Sequence, residues 1–101
     1  MSAKYLAKLL KKELGMKTFG GFLRTARTMN GLSQQDMANL LRISRSSLCD
    51  IEKGRQFVSV ELAAKIAKTS GLSQALAVEC AIQDSLRRAG LKMKVAIKKS
   101  A

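Results

Sequence analysis

Ser or Thr stands at the head of five short runs in which apolar residues recur every three or four positions, glycines close four of those runs, and proline is absent from all 101 residues. The pattern has a physical cause. A Ser or Thr oxygen accepts a hydrogen bond from a free first-turn amide, and glycine tolerates the left-handed residue that follows a helix. Read with these signals as starts and stops, residues 18–30 form a helix opened by Thr18 or Gly20 and ended by Gly31. Ser33 caps a helix over 34–41, and Ser44 caps one over 45–53 that Gly54 ends. Ser59 caps 60–69 before Gly71, and Ser73 caps 74–89 before Gly90. The predicted fold is all-α, with five helices in one small domain over residues 18–90.

Both ends depart from this regularity. Residues 1–17 form a basic amphipathic extension in which Tyr5, Leu6, Leu9 and Met16 gather near one side among lysines, so an extra N-terminal helix over 4–14 is expected. Such a segment covers part of the domain or a dimer partner, the alternative being a membrane surface. At the other end, residues 91–101, the period changes to two. Leu91, Met93, Val95 and Ile97 alternate with Lys92, Lys94, Ala96 and Lys98, the repeat of a strand with one apolar face. A lone strand leaves its amides and carbonyls unpaired, so a short C-terminal strand used in dimerisation is one reading and a frayed basic tail the other. The helix before it has two apolar sides, a main stripe of Ala75, Val78, Ile82, Leu86 and Ala89, and a second with Leu76 and Cys80. One side is expected on the domain and one on a second subunit.

Composition narrows the function. Nineteen Lys and Arg against seven Asp and Glu give a formal net charge of +12, which favours a polyanionic partner, double-stranded DNA first among them. An enzyme is not expected: there is no His, the acids are scattered, and no nucleophile–base pair, metal cluster or phosphate-cradling loop is recognisable. No cofactor or metal is implied. Cys49 and Cys80 are too far apart for a CxxC-type ligand pair and read as reduced thiols, which points to the cytoplasm. Cys49 is read as an inert thiol rather than an oxidation sensor. No stretch is long enough to cross a bilayer.

From Leu32 to Ser73 the chain resembles, without a gap, the helix-turn-helix family of phage repressors, Cro-like proteins and XRE-type regulators. The resemblance is carried by Leu32-Ser33-Gln34-Gln35-Asp36-Met37-Ala38, Ile43-Ser44-Arg45-Ser46-Ser47-Leu48, Ile51-Glu52-Lys53-Gly54-Arg55, Leu62-Ala63-Ala64-Lys65-Ile66-Ala67 and Gly71-Leu72-Ser73. Upstream, Gly20-Gly21-Phe22-Leu23-Arg24-Thr25-Ala26-Arg27 matches the family's first helix. The resemblance implies a lambda-repressor-like domain that acts as a homodimeric transcriptional regulator, or as an antitoxin that also binds a toxin protein. It places Arg45, Ser46 and Asp50 at positions that read base edges. Asp50 has two readings, an acceptor for the cytosine amino group or a holder of Arg45 or another cation. Gln34, Ser44, Ser47, Arg55 and Gln56 match phosphate-gripping positions. Arg27 and Glu52 match an internal ion pair.

Independent physical reasons support several of these assignments. A small Ala38 lets the two short helices cross closely, and Leu48 and Ile51 fall on the inner side of the third helix, opposite Arg45, Ser46, Cys49 and Asp50. The free helix N-terminus at Ser44 favours a phosphate, and Arg45 beside it can make a two-pronged contact with guanine. Two positions depart from the family pattern. Arg42 stands where the turn usually carries Gly, so it either takes a strained left-handed conformation or alters the turn, and it is placed to add a phosphate contact. Val58 replaces a frequent Pro in the loop after Arg55.

Overall fold

A computed structural model describes residues 18–98. It contains five helices: α1 (Phe19–Met29), α2 (Gln34–Leu41), α3 (Arg45–Glu52), α4 (Val60–Thr69) and α5 (Gln74–Arg88). The expected extension over residues 1–17 lies outside the described residues.

Each helix begins as its sequence dictates. The side chains of Thr18, Ser33, Ser44, Ser59 and Ser73 accept the backbone N–H of Gly21, Asp36, Ser47, Leu62 and Leu76 respectively, at 3.0 to 3.2 Å. At α2 the bond is reciprocal, because Asp36 accepts the Ser33 amide at 3.1 Å. Those contacts with Ser33 hold the Asp36 carboxyl below its usual range.

Helix ends follow one scheme with one exception. After α3, the amides of Gly54 and Arg55 reach back to the carbonyls of Ile51 and Asp50, with Gly54 in the left-handed region at φ 76°. The end of α2 makes the same pair of bonds, from Arg42 to Asn39 and from Ile43 to Ala38, with Arg42 at φ 58°. Arg42 is the one described non-glycine residue with positive φ. The turn therefore has the same form as the one after α3 and places the strain on Arg42, of the order of 1–2 kcal/mol.

The core joins all five helices. Phe19, Phe22, Leu23, Met37, Ala38, Leu48, Ile51, Ala63, Ile66, Ala67, Ala77, Cys80 and Ala81 are buried together. On α5 the side facing the domain is the smaller one, with Ala77, Cys80 and Ala81 buried and Leu76 packed against them. Small side chains there admit α4, the most extensive neighbour of α5, at close range. Ala75, Val78, Ile82 and Leu86 are left half-buried on the other side.

No strand is present among the described residues. The segment over 91–98 instead runs back along α5, where the Gln83 side-chain amide donates to the Met93 carbonyl at 2.7 Å and accepts the Val95 amide at 3.0 Å. One side chain thus satisfies two backbone groups that a neighbouring strand would otherwise take. Val95 and Ile97 are half-buried, while Leu91 and Met93 are exposed.

Candidate nucleic-acid interface

The site is built on α3, and its inner side is fixed from three directions. From α1, Gly20 lies so near the end of α3 that a Cβ on it would stand 2.7 Å from the Glu52 carbonyl oxygen and nearer still to that of Ile51. Only glycine permits this approach. One turn and two turns on, Leu23 and Arg27 continue the same stripe of α1. Leu23 is buried, and Arg27 holds Glu52 through two bonds, Nε to Oε2 at 2.7 Å and Nη2 to Oε1 at 3.1 Å. Arg27 also donates to the Leu32 carbonyl at 2.9 Å, tying the turn before α2 to the same cation. From α2, Gln34 donates to Glu52 Oε1 at 3.3 Å, and Ala38, fully buried, gives the close crossing expected of it.

The ion pair is well shielded, with side-chain exposures of 11% for Arg27 and 3% for Glu52. In such surroundings the two-pronged geometry offsets the desolvation of both charges, and removing either partner would strand the other. The expected structural role of this pair is what its position permits.

The outer side carries a different chemistry. Ser44, Arg45 and Ser46 are exposed, and no side-chain hydrogen bond of Arg45 or Ser46 is present among the described residues. Ser47 and Cys49 are half-buried beside them. Arg42, two residues before the cap of α3, is also exposed. The start of α3 and the turn before it therefore offer free amides, two hydroxyls and two guanidinium groups to solvent.

At the far end of α3, Asp50 has a defined partner. Its Oδ1 lies 4.0 Å from Arg55 Nη1, with both side chains substantially exposed, and its carbonyl accepts the amides of Arg55 and Gln56 at 2.8 and 3.2 Å. Where the sequence leaves Asp50 to hold Arg45 or another cation, the cation beside it is Arg55. An exposed pair at this separation contributes under about 1 kcal/mol and leaves Arg55 available to an anion. Gln34 differs from the exposed phosphate-gripping candidates, because it is half-buried and one of its two amide hydrogens is engaged by Glu52.

Two positioning residues were not singled out in the sequence. Gly20 looks like a simple helix start, although its spacing of three and seven from Leu23 and Arg27 marks the side of α1 that meets α3. Asp84, on α5, accepts the Phe19 amide at 3.0 Å and Arg87 Nη1 at 3.0 Å. It supplies the negative charge that the first turn of α1 lacks. No local signal pairs residues so far apart. The loop after α3 is further tied to α5 where the Arg88 guanidinium lies over the Phe57 ring.

Among the described residues there is no group of three or more His, Cys, Asp or Glu placed to hold a metal, and no helix long and apolar enough to cross a membrane.

Comparison with known proteins places these observations in a family. Residues 18–79 match the family model described as a helix-turn-helix domain. An uncharacterised HTH-type transcriptional regulator of Methanocaldococcus jannaschii is 42% identical over 50 residues, which make up 50% of this chain and 76% of that protein. No solved structure matches the chain.

Proposed function

The chain belongs to the helix-turn-helix domain family, and from that premise we propose that it is a homodimeric repressor, acting in the cytoplasm, that lays α3 in the major groove of a near-palindromic operator. DNA binding and transcriptional regulation follow from the family; the rest is our reading. The observation that carries it is the asymmetry of α3, whose inner side is bonded at Glu52 by Arg27 and Gln34 while Arg45 and Ser46 at its first turn are exposed and make no side-chain hydrogen bond among the described residues. In the groove, Arg45 and Ser46 read base edges, and Asp50 accepts from cytosine or holds Arg55 in position. Arg42, Ser44, Ser47, Arg55, Gln56 and the remaining amide hydrogen of Gln34 grip phosphates.

A recognition surface this small gains affinity and a two-fold operator from a second copy. Leu91, Met93, Val95 and Ile97, with the half-buried side of α5, form the dimerisation surface in this reading. Selection of duplexes from a random pool at fixed salt tests the proposal. It should return an inverted repeat with half-site centres about 34 Å apart, one helical turn. Recovery of unrelated sequences, or of a single half-site, would contradict it. Truncation after Gly90 should give monomers in sedimentation, and an unchanged dimer would move the dimerisation surface elsewhere.

A further inference from the structure

On the flank of the domain, where the turn between α2 and α3 meets α4, lies a groove of about 540 Å³ that shares only Arg42, at its rim, with the proposed DNA contacts. Leu62, Lys65, Ile66 and Thr69 supply one wall, at the three- and four-residue spacing that puts them on one side of α4. Leu40, Leu41 and Ile43 supply the other. Ile66 is buried at the floor, whereas Leu40 is 46% exposed, a large apolar side chain held in solvent at a helical position where any polar residue would fit. Among the described residues, the charges that line the groove are Arg42 and Lys65, and no carboxylate does.

We infer that this groove docks an amphipathic helix of an acidic partner protein, which sets leucine-sized side chains between Leu40 and Leu62 and carboxylates against Arg42 and Lys65. The volume lies within the roughly 300–1,000 Å³ of clefts that take ligand-sized apolar groups, and an apolar stripe seated in such a groove is a recurrent mode of helix recognition. Charge selects the occupant. A second copy of this chain brings a net charge of +12 to the two cations of the groove. Several of its acids are also committed, Asp36 to Ser33, Glu52 to Arg27, and Asp84 to Phe19 and Arg87. An acidic helix meets the opposite situation, with steering by the basic domain and two matched charges at the rim.

The test titrates the isotope-labelled full chain with a synthetic helical peptide of about 15 residues, long enough to hold a helix, carrying Leu at i, i+3 and i+7 and Glu around them. A second peptide carries Lys for Glu. Saturable shifts at Leu40, Ile43, Leu62 and Lys65 are expected with the acidic peptide, and binding at least about tenfold weaker with the basic one. Leu40→Ser and Lys65→Glu should each weaken the acidic peptide by roughly tenfold. Circular dichroism should be unchanged, because both side chains are exposed. Absence of saturable shifts at these residues, equal affinity for the two peptides, or indifference to both substitutions would overturn the inference. So would a self-associated form in sedimentation that Leu40→Ser dissolves, since that result would give the groove to a second copy. Duplex binding by the same preparations is read separately, so a failure here does not touch the DNA assignment.

Discussion

The inner and outer sides of α3 are built on opposite terms. Inward, Leu48 and Ile51 are buried, Glu52 is bonded by both Arg27 and Gln34, and Gly20 brings α1 against the last carbonyls. Outward, Arg45 and Ser46 are exposed and make no side-chain hydrogen bond among the described residues. Rigidity on one side permits openness on the other. Flexible side chains can be spared for a partner when the backbone carrying them is over-determined from behind.

The inner side breaks most easily at its charges. Arg27→Ala leaves the Glu52 carboxylate, 3% exposed, with Gln34 as its one remaining partner among the described residues, and should cost about 3 to 5 kcal/mol in denaturant unfolding. A loss under about 1 kcal/mol would show that the pair behaves as a surface contact.

Next in size is Gly20→Ala. A helical Ala ordinarily gains about 1 kcal/mol over Gly, but here the added methyl meets backbone oxygens of Ile51 and Glu52 that cannot turn aside, so a net loss of about 1 to 3 kcal/mol is expected. Gly21→Ala is the control. Its methyl meets the Thr18 hydroxyl alone, and stability should stay within about 1 kcal/mol of the parent.

The smallest effect is a gain. Arg42→Gly relieves the left-handed strain between α2 and α3 and should stabilise by up to about 1 kcal/mol, the flexibility of glycine in the unfolded chain offsetting part of the relief. If Arg42 grips a phosphate, the same variant should also bind all duplexes somewhat less tightly, with a shallower dependence on salt.

These contrasts show what the sequence makes readable. All five helices lie where Ser or Thr caps and apolar spacing put them, because capping and burial are decided within a few residues. Arg42 is legible too, as an Arg in a glycine's place, although local reasoning leaves open whether residue or turn gives way. The side of α5 that enters the core is harder, because larger apolar residues mark the opposite stripe. Ala77, Cys80 and Ala81 win by being small enough for α4 to approach. Residues 91–98 show the limit most clearly. Their alternation is that of a strand, yet within one chain two backbone groups are met by Gln83, a partner that no local pattern announces. The links from Gly20 to α3 and from Asp84 to Phe19 are likewise properties of the packed fold. The outer residues of α3 are legible by their place in the family motif, but solvent-facing Arg and Ser look alike whether they meet water or bases.

That last ambiguity is resolved by one measurement, the affinity of Arg45→Ala beside the parent for the selected operator and for random duplex at the same salt. A loss of about 1 to 3 kcal/mol on the operator, relaxed preference at one base position, and a much smaller change on random duplex are expected. Equal binding of both duplexes by parent and variant would contradict the placement of α3 in the major groove.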